Sequence, residues 1–160
     1  MPLNFLPMSP APAAVRITSH RRTKSTQAAS GKILTRQYGG QYFKMSLTYN
    51  LMRKDQAGPL LAFLQEQEGR FGIFFVPVDQ LSGQAGEVVG NYANFDEALY
   101  HKLHMITATS PTAVNPPYNG TGVIQTDPAY MRCSLTSDTQ NVSLDRKGLI
   151  KISLNLVERF

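Results

Sequence analysis

The residues able to do chemistry are few and scattered. His101 and His104 stand three apart, near Asp96 and Glu97. If residues 95–104 were helical, both imidazoles would share a face, and Asp96 or Glu97 could supply a third metal ligand. Two surface or hydrogen-bonded histidines account for the same spacing, and that simpler account is preferred, so no metal is expected. Cys133 beside Arg132 could have a depressed pKa, but within a strand-like run it is expected to be a small packed residue. Asp127, Asp138 and Asp145 lie beside turn-forming residues and suit turns better than acid–base work. The chain has no Walker loop, dinucleotide glycine fingerprint, zinc pattern or nucleophile elbow. No catalytic residue, cofactor or enzymatic activity is therefore expected.

Charge is the stronger signal. Residues 1–54 hold nine Lys/Arg and no acid, whereas residues 55–160 hold seven Lys/Arg and all eleven acids. Two halves of opposite sign can attract each other between copies of one protein or present a face that tolerates nucleic acid, but for the asymmetry alone a solvated basic surface with no specific role is the preferred reading. The basic run His20-Arg21-Arg22-Thr23-Lys24-Ser25 could meet phosphates, with Tyr38, Tyr42 and Phe43 further on to stack on bases. Most aromatics, however, stand where a core needs them. Arg21, Arg22 and Lys24 are therefore candidates for subunit contact first and for nucleic acid second.

The elements that would position these residues are mostly strands. Residues 1–14, rich in Pro, Ala and Met, are expected to form an extended peripheral arm that orders on a neighbouring copy. This apolar start lacks a basic leader, so no signal peptide is expected. With one cysteine, the chain suits a reducing cytoplasm. Residues 15–20 alternate as a strand, 21–31 read as a mobile basic loop, and 32–37 suit a second strand. Gly39-Gly40 is a turn signal. From Tyr42 to Leu51 the alternation is strict, with Phe43, Met45, Leu47, Tyr49 and Leu51 on one face.

A helix is predicted from Asp55, as its cap, to Gly69, with Pro59 near the first turn and Leu60, Leu61, Phe63 and Leu64 on its apolar side. A strand from Phe71 to Pro77 follows, apolar on both faces. Residues 78–121 read as a long loop, in which Asn94-Phe95-Asp96-Glu97 resembles a capping box for a short helix through Leu103. Strands resume near 122–126, 129–135 and 149–157. The order predicts a single mainly β domain over 1–160, an antiparallel sandwich or barrel with one flanking helix.

The stretch Arg36-Gln37-Tyr38-Gly39-Gly40-Gln41-Tyr42-Phe43-Lys44-Met45-Ser46-Leu47-Thr48-Tyr49 leads into Pro59-Leu60-Leu61-Ala62-Phe63-Leu64 and Gly69-Arg70-Phe71-Gly72-Ile73-Phe74. Over about residues 15–77 this layout resembles the small distal-tail proteins at the tail-tip hub of long-tailed bacteriophages. The resemblance implies a tail-tube type of β fold and a structural virion protein, made in the host bacterial cytoplasm. It implies a homo-oligomeric, hexameric ring that joins the tail-tube protein to the tail-tip hub protein and lets DNA pass. The alternative is another tail or neck component, a tail terminator, tail-completion or head–tail joining protein, since these share the sandwich and the ring. Carried onto this chain, Gly39 and Gly40 would make a hairpin turn, and Phe43 and Tyr49 would line the core. Pro59 and Phe63 would belong to the covering helix, with Phe74 in the strand beneath. Arg70 would sit at the helix–strand corner, paired with an acid.

Overall fold

The computed structural model describes residues 4–78, 88–96, 102–126 and 128–160. The main sheet is antiparallel and runs β1 (Ala14–His20), β4 (Tyr42–Thr48), β12 (Ile150–Glu158), β10 (Ala129–Leu135), β5 (Phe74–Val78). A short strand β11 (Val142–Leu144) pairs with the first half of β12, ahead of β10. Two more antiparallel sheets are present: β2 (Thr23–Gln27) with β3 (Ile33–Gln37), and a four-stranded one ordered β8 (Thr112–Asn115), β7 (His104–Thr109), β6 (Tyr92–Asp96), β9 (Val123–Gln125). The protein is thus mainly β with one helix, and no closed barrel forms among the described residues.

Period-two patterning decides which face of the main sheet is buried. In β4 the odd residues Phe43, Met45 and Leu47 are buried; in β12 the even residues from Ile150 to Glu158 are. Cross-strand register puts Met45 opposite both Ile17 and Leu156, so the apolar side chains of three strands meet on one face. Helix α1 (Lys54–Glu66) covers part of that face with Ala57, Leu60 and Leu64, while Phe63 meets Phe74 edge-on at 5.3 Å. Tyr92 and Leu103, from the smaller sheet and its approach, fill the same core.

Several expectations change here. The alternating strand ends at Thr48, and the buried position beyond Tyr49 passes to Met52, so Leu51 is exposed. The helix starts at Lys54. Arg53 is its N-cap, and Arg53 N–H donates to Gln56 Oε1 at 3.3 Å, so Asp55 lies within the first turn instead. Pro59 stands in the sixth helical position, on the exposed side, deeper than the first turn. Strand β5 begins only at Phe74, because residues 67–73 turn tightly: Glu68 and Gly69 both have positive φ, and Phe71 is exposed. A Cβ on Gly69 would lie 2.7 Å from Asp138 Oδ1, so glycine answers both a backbone and a packing need there. Pro77 fits a strand because it lies opposite Tyr130, whose backbone groups bond elsewhere.

The start of the proposed arm, residues 4–6, pairs with the protein's own main sheet. Leu6 N–H donates to Phe75 O and Phe75 N–H to Asn4 O, which adds a short parallel pairing to the edge of β5. Leu6 itself is buried in the core. The segment read as a loop over 78–121 contains β6, β7 and β8, and Asn94 to Asp96 is strand where a helix start was expected. Proline and glycine there punctuate short strands, and that density hid them from a periodicity argument. Glu97 and His101 lie outside the described residues.

Candidate assembly surface

The basic segment expected as a mobile loop is a β-hairpin. Thr23 to Gln27 pairs with Ile33 to Gln37, and the turn is closed by Ala28 N–H to Lys32 O at 2.8 Å and Gly31 N–H to Ala28 O at 2.9 Å. Gly39 and Gly40 therefore make no hairpin turn, since β3 pairs with β2 and β4 pairs with β1. They form the joint where the chain passes from the small hairpin into the main sheet, and Gly40 with φ +81° supplies the bend.

Every residue of β2 and β3 is exposed. Ile33, Leu34 and Tyr38 are 67%, 56% and 51% exposed, a concentration of apolar surface on a two-stranded element. A lone two-stranded hairpin is marginal in water. This one also sets Lys24 directly opposite Arg36, a like-charged cross-strand pair that opposes folding. Arg36 lies over the Tyr38 ring at 5.8 Å, and Ser25 and Thr35 share a hydroxyl hydrogen bond of 3.1 Å. Arg21 and Arg22 occupy the exposed base of the hairpin, where Arg22 O accepts Tyr38 N–H. The structure thus gathers Arg21, Arg22 and Lys24 with Arg36 and Tyr38 on one protrusion. Phe43 is separate, buried in the core, and Tyr42 stacks on His20 at 5.3 Å.

The remaining candidates are structural. Phe43, Tyr49 and Phe74 are core residues, and Phe63 is half-buried against them. Arg70 meets an acid as expected. Its Nη2 lies 2.8 Å from Asp138 Oδ2, and its backbone N–H donates to Asp138 Oδ1 at 3.0 Å. Hydrogen bonding to Arg70 holds the Asp138 carboxyl below the usual carboxylate range. Asp138 therefore clamps the helix–strand corner, while Asp145 does serve a turn, accepting Lys147 N–H and Leu149 N–H. Cys133 is fully buried, and desolvation pushes its thiol up, away from reactivity. His104 is buried, with Nδ1 2.6 Å from Pro116 O, and burial lowers its pKa. Among the described residues no three His, Cys, Asp or Glu gather as metal ligands. Among them, too, no helix is long and apolar enough to cross a membrane.

One buried charged pair went unread in the sequence. Lys102 Nζ bonds Glu158 Oε2, with side chains 4% and 0% exposed. Glu158 also accepts Phe43 N–H at 2.9 Å and Leu103 N–H at 2.7 Å, and the ammonium lies 4.1 Å from the Phe160 ring centroid. Burial lowers the Lys102 pKa against the opposing pull of Glu158. Asn94 adds a second tie, its Nδ2 donating to Tyr130 O at 2.8 Å and Lys102 O at 3.1 Å, its Oδ1 accepting Tyr130 N–H. Both ties join the smaller sheet to the main one. The signal was present: Glu158 continues the even-numbered buried series of β12, where only a partnered acid is tolerated.

No protein-family model matches the chain, and no curated protein matches it.

Proposed function

We propose that this chain is a structural subunit that closes into a ring with copies of itself. We place that ring, on the layout of residues 15–77, at the distal end of a phage tail tube, between the tube and the tail-tip hub, in a hexamer built on a tail-tube type of fold. The observation that carries the assembly is the β2–β3 hairpin, exposed on both faces and carrying Ile33, Leu34 and Tyr38. Its apolar side chains, its like-charged Lys24–Arg36 pair and its marginal independent stability are all relieved by docking on a neighbour. A hairpin that docks on a different surface of the next copy is a heterologous contact, and such contacts close into rings when the rotation permits. The basic charge of residues 1–54 and the net acidic charge of the remainder favour that head-to-tail arrangement.

Light scattering after gel filtration, with negative-stain images of the same peak, tests this. Rings with an open centre are expected. A protein that stays monomeric at high concentration, and in the presence of a tail-tube protein as template, would overturn the proposal.

A further inference from the structure

Among the described residues, neither the helix nor the smaller sheet lies over the second face of the main sheet, whose β5 edge is covered by Phe5 against Phe75 and Tyr130. Register assigns its side chains. Arg16 stands beside Ser46 and Asn155, and Thr18 beside Lys44 and Val157. His20 stands beside Tyr42. Lys151 and Arg132 occupy outward positions of β12 and β10, in step with Ser153 and Tyr130, and Arg159 follows the end of β12 in the same phase, its Nε donating to Ser134 Oγ at 2.8 Å. None of the outward positions of β1, β4, β12, β10 or β5 is Asp or Glu. The acid of β12, Glu158, points the other way and is already held by Lys102. The helix layer differs, since α1 carries the acids Asp55 and Glu66 with a single cation, Lys54. The open face is therefore of one sign, whereas the covered side is mixed.

We infer that this open face binds the phosphate backbone of double-stranded nucleic acid, without reading its sequence. Three features favour a duplex. Cations arrayed on a sheet at row spacings of about 6.6–6.8 Å can meet successive backbone phosphates without base contact. A depression of about 470 Å³ at one end of the face is lined by Arg22, Lys44 and Arg159, and the one acid in its lining, Glu158, is already paired with Lys102. The aromatics of the face are engaged, Tyr42 with His20 and Tyr130 with Phe5, so single-strand base stacking is poorly served. This surface meets the hairpin only at Arg22, on the hairpin's base, and does not depend on ring closure.

Fluorescence anisotropy with a labelled mixed-sequence DNA duplex, titrated across salt concentrations, tests the inference. The expected slope of log affinity on log salt is about −4 to −5 for five phosphate contacts. Substituting Arg16→Gln, Lys44→Gln and Arg132→Gln together should reduce the slope by about three. These side chains face solvent, and a denaturation curve like that of the parent will show that the variant is folded. The comparison variant carries Lys24→Gln, Lys32→Gln and Arg36→Gln in the hairpin and should keep most of the slope. Loss confined to the hairpin variant would overturn the assignment to the sheet face. Equal binding of poly-glutamate would also overturn it, showing a surface for acidic protein instead.

Discussion

Strands β3 and β4 follow one another in the chain, yet they obey different rules. In β4 every second side chain is buried, and the strand is paired on both sides by β1 and β12. In β3 every side chain is exposed, and its pairing is to β2 alone. The same ribbon thus begins as an element that its own fold cannot bury and continues as the centre of the core. The difference teaches where to look for function. Strand β4 is explained by the monomer, whereas the hairpin carries apolar side chains for which the monomer offers no cover.

The contrast breaks most readily at the core end. Lys102→Met leaves Glu158 buried without its ammonium, and the loss expected is about 3–5 kcal/mol of stability. Urea denaturation measures it, and adding Glu158→Gln should restore much of the loss, since the amide oxygen still accepts Phe43 N–H or Leu103 N–H. An unchanged midpoint for the single variant would show that the pair is not buried in solution.

A smaller effect of opposite sign belongs to Tyr49, whose hydroxyl is buried with no hydrogen-bond partner among the described residues. Tyr49→Phe removes an unsatisfied group and should gain about 1 kcal/mol. Burial pushes the Tyr49 phenol up to about 12. Its contribution is therefore complete below the ordinary tyrosine value of about 10 and is lost as pH rises toward the folded value. The Phe variant should flatten stability against pH in that alkaline range, and a parallel curve would place the effect elsewhere.

The smallest effect on folding is expected from Ile33→Ser with Leu34→Ser. These side chains touch little in the monomer, so its stability should move by no more than about 0.5 kcal/mol. Assembly, measured by sedimentation, should fall sharply in the same variant. Equal losses of folding and assembly would erase the distinction between the two halves of the ribbon.

Much of the main sheet was legible because its periods are clean. Tyr42 to Thr48, Ala129 to Leu135 and Ile150 to Val157 read as strands and are strands. The helix face of Leu60 and Leu64 was equally plain. What escaped had no burial to imprint a pattern, or had its pattern interrupted. Thr23 to Gln27 is polar throughout, so its strand character was invisible to hydrophobic periodicity. Strands β6 to β8 are short and bounded by proline and glycine. Leu6 looked like part of a loose apolar tail because its pairing with β5 is too short to imprint a period. Of the candidate surface, the basic residues Arg21, Arg22 and Lys24 were visible, but their assembly on a hairpin with Ile33 and Leu34 required the fold.

The most direct test of the account is hydrogen exchange followed at low and high protein concentration. Protection of the amides from Thr23 to Gln37 should rise with concentration as the hairpin docks on a neighbour, while the amides of β4 and β12 stay protected throughout. Hairpin amides that exchange equally fast at every concentration, in a sample shown to be assembled, would contradict the claim that this hairpin builds the ring.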